Sequence, residues 1–150
     1  MSENYDLRPA TEAEYDFLWK VVETTMREYV AAIWGWDEEW QRRRFQNNFS
    51  KAEWQIIVAG GQNAGGLRFE HRLVDGDLFL ANIHLLPEYQ GGGIGSAIVR
   101  DLEAQANIAS VPLTLNVLKS NPGALRLYER LGLLVVSENE ERYFMSTGKT

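Results

Sequence analysis

The chain has 150 residues, 45% of them apolar and 24% charged, with a net charge of −6 and no cysteine. That length and balance suit one domain spanning 1–150 with a core of its own. They exclude disulfides, thiolate metal sites and a cysteinyl acyl intermediate, and an acidic chain offers little to nucleic acid, which wants clustered Lys and Arg. The one basic cluster, Arg42-Arg43-Arg44, lies in a helical pattern beside Glu38 and Glu39 and reads as a solvated helix face.

In chain order, Met1 to Asp6 is acidic and lacks an apolar signal-peptide core, and no apolar run approaches a membrane span, so a cytoplasmic protein without a membrane partner is expected. Residues 5–8 form a short strand candidate ended by Pro9. Thr11 and Glu14 have capping-box spacing, and Leu18, Val21, Val22, Thr25 and Tyr29 recur at helical intervals, so the pattern predicts a helix over 12–32 broken by Gly35. A second helix is expected over 37–47, with Asp37, Glu38 and Glu39 at its positive end. Trp34, Trp36 and Trp40 crowd this helix–helix connection. They can staple two helices to a sheet, or wall an acceptor pocket in which Asp37, Glu38 or Glu39 meets a cation.

Strands are expected over 54–59 and 66–73, then, after the Asp75-Gly76 hairpin signal, over 78–86. Residues 91–95 hold four glycines, followed by a helix over 93–107. An alternating strand (111–117) comes next, and the helical crossover predicts that it runs parallel to 78–86. Asn121 is the expected N-cap of a helix with Pro122 in its first turn and Gly132 at its end. Strands over 133–137 and 142–146 close the chain. The pattern predicts an α/β or α+β fold, one sheet layer with helices on both faces.

The strand, glycine turn and helix around Gly91, Gly92, Gly93 and Gly95 point to a phosphate or pyrophosphate cradle. The first N–H groups of a helix lack intrahelical partners and carry partial positive charge, and without side chains an anion can approach them. A Walker A loop is excluded because Ser96 and Ala97 stand where Lys and Ser or Thr belong. A G-x-G-x-x-G fingerprint fails at Ile98 from Gly93 and at Ser96 from Gly91.

Gln90-x-x-Gly93-x-Gly95 resembles the acyl-CoA pyrophosphate loop of the GCN5-related N-acetyltransferases (GNAT). The segment Asn121-Pro122-x-Ala124-x-x-Leu127-Tyr128-Glu129-x-Leu131-Gly132 resembles that family's second signature. The resemblance implies a single mixed α+β domain, its central, mostly antiparallel sheet having about seven strands with helices on both faces. It also implies direct transfer of an acetyl group from acetyl-CoA to the amine of a small-molecule or amino-acid-like acceptor. The alternative on the same fold is a CoA-binding module that senses without turnover.

By the same resemblance, Leu85, Leu86, Gln90, Gly91, Gly92, Gly93, Ile94, Gly95, Ser96 and Asn121 would hold the CoA, and Tyr128 would be the general acid. Trp36, Asp37 and Trp40 would border the acceptor. Relatives often carry Glu near the position of His84, so the imidazole is the candidate base, with Glu70 and the 37–39 acids as competitors. His71 and His84 are the only histidines and match no metal motif, so no metal is expected. A homodimer is compatible with this reading.

Overall fold

The computed structural model describes residues 4–49 and 53–148; the sequence reading of residues 1–3 lies outside them. Seven strands, β1 (Asp6–Pro9), β2 (Gln55–Ala59), β3 (Gln62–Arg72), β4 (Asp77–Leu85), β5 (Leu113–Leu118), β6 (Leu134–Glu138) and β7 (Arg142–Ser146), form one sheet in the order β1-β2-β3-β4-β5-β7-β6. The pairs β1–β2, β2–β3, β5–β7 and β6–β7 are antiparallel and β4–β5 is parallel. The helices are α1 (Tyr15–Trp34), α2 (Glu38–Phe49), α3 (Ile94–Ile108) and α4 (Pro122–Arg130). The expected element order and the parallel crossover are therefore present.

Most element ends differ by one or two residues from the sequence reading, and two larger differences have a local reason. Residues 12–14 form a 3-10 turn, and the α-helix starts at Tyr15; the Glu14 carboxylate accepts from the Thr11 N–H at 2.7 Å and the Thr11 hydroxyl at 3.0 Å. β3 begins four residues before the expected 66, because Gly60 and Gly61 (φ 59° and 78°) close a two-residue hairpin in which Ala59 faces Gln62.

The chain divides into two compact units, Met1–Arg68 with Asn82–Gly95, and Phe69–Ala81 with Ser96–Thr150. In the first, Leu18, Trp19, Phe45, Trp54 and Ile56 make the core, with Trp36 and Phe49 packed on its edge. Burying aromatic side chains of this size supplies much of that unit's apolar stabilisation. Gly35 (φ 77°) ends α1, its N–H donating to the Ala31 carbonyl at 3.0 Å.

In the second unit, Leu78 and Leu80 of β4 and Leu113 and Leu115 of β5 are buried, as are Ile98, Leu102 and Ala106 of α3. Register pairs run from Leu78↔Leu113 to Leu80↔Leu115. Asp77, 7% exposed, takes a two-point contact from Arg72 (2.8 and 2.6 Å) and the Thr114 hydroxyl at 2.6 Å. The Arg72 guanidinium holds the Asp77 carboxyl below the usual carboxylate range.

Candidate functional site

Between β4 and α3 the chain makes a 3-10 turn, Pro87–Tyr89, which the sequence reading did not anticipate. The Tyr89 hydroxyl donates to Gln62 Oε1 at 2.9 Å and fixes the turn to the start of β3. The glycine loop follows, with Gly91 at φ 83° and Gly93 at φ 93°, values that other residues rarely adopt. A Cβ on Gly91 would meet nothing within 4 Å, and one on Gly95 would meet only Leu85 Cδ1 at 3.8 Å. Internal packing therefore does not demand glycine at 95. Its missing side chain leaves the space above the first turn of α3 open.

That turn carries no acidic residue, whereas the first turn of α2 carries Glu38 and Glu39. First-turn amides, a positive dipole end, an open approach and no acidic residue in the turn itself fit the diphosphate of a CoA-type ligand.

The end of β4 is polarised by strand alternation. The Leu86 N–H donates to the Ala64 carbonyl on β3 at 2.9 Å, and the Leu86 carbonyl accepts from the Tyr89 N–H at 2.9 Å. Backbone groups on adjacent residues point to opposite sides of a strand, so those of Leu85 face away from β3. The Leu85 carbonyl instead accepts from Gln90 Nε2 at 2.8 Å. Leu85 thus offers the outward edge suited to an amide-bearing arm. Leu86 is already paired within the chain, and the Gln90 side chain braces the loop.

His84 stands next to this edge, on the opposite face of the strand, and is 7% exposed. Arg68 Nε donates to Asn82 Oδ1 at 2.9 Å, and Asn82 Nδ2 lies 3.2 Å from His84 Nε2. His84 Nδ1 lies 3.0 Å from the Thr25 hydroxyl, which donates to the Val21 carbonyl at 2.9 Å. The two ends fix every direction, since a guanidinium only donates and a carbonyl only accepts. Asn82 must turn its oxygen to Arg68 and its NH₂ to His84. Nε2 is therefore the acceptor, and Nδ1 carries the proton that Thr25 accepts.

The imidazole also stacks on Trp54, with centroids 6.5 Å apart, while the Arg68 guanidinium lies 5.9 Å from the same indole. Burial pushes the His84 pKa down to about 4. The ring is neutral and both nitrogens are engaged.

On α4, Asn121 Oδ1 accepts from the Ala124 N–H at 3.1 Å, the expected N-cap. Tyr128 is half-buried, and its hydroxyl has no hydrogen-bond partner among the described residues. Burial pushes the phenol up to about 12. It therefore keeps its proton across the physiological range and is available as a donor.

Around the α1–α2 connection, Trp36 stacks on Trp19 at 6.2 Å and donates through Nε1 to Glu38 at 2.8 Å. Asp37 Oδ1 accepts from the Trp40 N–H at 3.0 Å and so caps α2. Trp40 is 53% exposed, with the Arg44 guanidinium 5.7 Å from its ring. Trp36 and Asp37 thus have structural partners, and Trp40 presents an open aromatic surface. The Glu38 carboxylate beside Glu23 raises the Glu23 pKa, and Arg27 lies 3.6 Å from Glu23 and 3.9 Å from Glu38.

Glu70, the other proposed base, is exposed on β3. No group of three or more potential metal ligands occurs among the described residues, and no helix among them is long and apolar enough to cross a membrane. The sequence pattern alone does not mark Thr25, Arg68 and Trp54 as site residues. The available signal was Asn82 and His84 alternating onto one face; their partners required knowledge of which elements pack together.

Comparison with known proteins agrees with this anatomy. The mouse (Mus musculus) thialysine N-epsilon-acetyltransferase is 30% identical over 95 residues, covering 57% of this chain and 56% of that relative. The match therefore spans little more than half of that protein's length. A PaiA N-acetyltransferase from Thermoplasma acidophilum, solved in complex with coenzyme A, superposes with a TM-score of 0.76 at 16% identity, covering 97% of this chain and 99% of that one. The ribosomal-protein-S18-alanine N-acetyltransferase of Escherichia coli gives 0.68 at 19% identity, with 95% and 92% covered. The sequence profile of the Acetyltransferase (GNAT) family matches residues 18–133, a span that runs from the core of α1 through the glycine loop to the end of the α4 signature, and the chain belongs to that family.

Proposed function

We propose that the protein is an acetyl-CoA-dependent N-acetyltransferase that moves an acetyl group directly to an amine of a small-molecule or amino-acid-like acceptor. The observation that carries this reading is the open, carboxylate-free N-terminus of α3 behind the Gly91–Gly95 loop. Family membership and the name of the mouse relative, whose acceptor is an amino-acid amine, support it. Bound at the cradle, acetyl-CoA would supply an activated thioester.

In this reading the amides of the loop and of Ile94, Gly95 and Ser96 hold the diphosphate, and Leu85 pairs with the pantetheine arm. Asn121 orders the start of α4, leaving its NH₂ for the ligand. Tyr128 donates a hydrogen bond or proton to the departing sulfur, consistent with a hydroxyl that has no partner among the described residues. His84 orders the floor of the site. Trp40 is the exposed aromatic available to an acceptor. A cytoplasmic setting belongs to the same proposal.

The test is a thiol-release assay with acetyl-CoA and a panel of small amines, run beside calorimetry with CoA. Micromolar CoA binding with amine-dependent thiol release is expected. Binding without release from any amine would leave a CoA-binding module in place of the enzyme, and no binding would remove both.

A further inference from the structure

The hydrogen-bond chain through His84 constrains the acceptor. An amine attacks only when neutral, so either the protein removes a proton from an ammonium ion or the acceptor arrives unprotonated. His84 Nε2 accepts from Asn82, and Asn82 cannot turn away without releasing Arg68. His84 Nδ1 is a donor, committed to Thr25.

Among the described residues, the groups facing His84 are Thr25 on α1, Asn82 beside it on β4, Arg68 on β3 through Asn82, and Trp54 just before β2. None is a carboxylate. Glu23 is two residues from Thr25 and so lies about 200° around the helix, away from the sheet. There it meets Glu38 and Arg27. Asp37 is used as a cap.

Building on the proposed acetyl transfer, we propose that the acceptor is a weakly basic primary amine, an α-amino group or one weakened by an electron-withdrawing neighbour, which reaches the site already neutral. The neutral nitrogen attacks the acetyl carbonyl carbon; the N–C bond forms, the C–S bond breaks and its electron pair leaves on sulfur. One proton passes from nitrogen to water. Sulfur takes one from the Tyr128 phenol, which recovers it from water, so amine and thioester become amide and thiol.

At pH 7 about 10% of a peptide-like α-amine is neutral, against about 0.04% of a lysine-like amine. The more than hundredfold difference in attacking species favours the weaker base at neutral pH as long as nucleophilicity falls less steeply than basicity.

The experiment measures kcat/KM against pH for wild type and His84→Gln with acetyl-CoA and three acceptors of similar size and falling basicity: propylamine, 2-methoxyethylamine and glycinamide. The acidic limb is expected to move with each amine's own pKa and to keep that position in His84→Gln. At pH 7 glycinamide is expected to exceed propylamine about tenfold or more. One fixed limb for all three amines, or propylamine as the best acceptor at pH 7, would overturn the inference and reveal a base on the protein. Absence of thiol release from every amine at every pH would overturn the acetyl-transfer reading itself, an outcome distinct from a misplaced limb.

Discussion

The Nδ1 atom of His84 and the hydroxyl of Thr25 are 3.0 Å apart, joining β4 to α1, and the hydroxyl's own proton is committed to the Val21 carbonyl at 2.9 Å. The bond can therefore run only from imidazole to hydroxyl. At pH 7, nitrogen-15 NMR of the imidazole is expected to show the neutral Nδ1–H tautomer. Thr25→Val keeps the shape but leaves that N–H buried without an acceptor. Its expected cost is about 1–3 kcal/mol in chemical denaturation, with part of the ring shifting to the other tautomer. A wild-type ring found as Nε2–H would reverse the chain and undo the assignment of Asn82.

The same burial makes stability depend on pH with a definite sign. Above pH 6.5 His84 is neutral in both folded and unfolded chains. As pH falls below 6.5 the unfolded chain takes up a proton that the native ring, with its pKa near 4, refuses. Stability is lost through that window, by about 3 kcal/mol at its lower end. Urea denaturation at pH 7, 5.5 and 4 should show wild type losing about that much more than His84→Gln. Parallel losses in the two proteins would mean that the imidazole titrates normally in the fold.

Two adjacent glycines are required by packing around this histidine. A Cβ on Gly65 would overlap the His84 backbone carbonyl, which cannot yield without moving β4. A Cβ on Gly66 would meet Leu18 Cδ2 at 2.5 Å and the Trp54 ring at 3.2 Å; the leucine end can rotate away. Gly65→Ala is expected to cost more than about 3 kcal/mol or to prevent folding, and Gly66→Ala about 1–3 kcal/mol. Denaturation midpoints in the opposite order would show that the strands separate more easily than the side chains shift.

Much of the architecture is legible in punctuation residues. Gly35, the Asp75-Gly76 hairpin, Asn121-Pro122 and Gly132 mark their boundaries by local backbone chemistry, and the alternation around Ile83, His84 and Leu85 assigns His84 to its face. The start of β3 lies four residues before the one the pattern predicts, because the tight turn uses Gly60 and Gly61, leaving Gln62 and Asn63, which look like turn residues, inside the strand. What cannot be read locally is pairing across the sequence. Thr25 and His84 are 59 residues apart. Only the packing of α1 on the sheet turns a candidate base into a ring with no free lone pair. Asp37 shows the same limit, since an acid beside tryptophans suits either a substrate or a helix cap, and Trp40's amide decides which contact is made.

At the loop, the expected effect separates binding from folding. In Gly95→Val the new Cβ has only Leu85 Cδ1 as a neighbour, at 3.8 Å, so the native fold should persist. Its methyls would occupy the approach to the first amides of α3. Calorimetry is expected to show CoA affinity reduced about tenfold or more, equivalent to about 1.4 kcal/mol, with little change in melting temperature without ligand. Unchanged CoA affinity in an intact fold would remove the cradle.

Tyr128→Phe isolates proton donation. The hydroxyl has no internal partner among the described residues, so its loss orphans no buried group, and the ring's packing is retained. Thermal stability and CoA affinity are expected to stay near wild type. Turnover, measured where chemistry limits the rate, is expected to fall by about 10²–10⁴-fold if the phenol assists the leaving sulfur. A phenol held near 12 remains protonated through neutral pH, so ionisation of Tyr128 itself should produce no falling limb in the wild-type profile below about pH 10. The variant's loss should then be nearly constant with pH across that range. Wild-type turnover in Tyr128→Phe would take the tyrosine out of the chemistry. A loss that grew steeply as pH rose through neutrality would indicate a phenol that ionises far more readily than its burial allows, and would point to a cationic neighbour supplied by the bound acceptor.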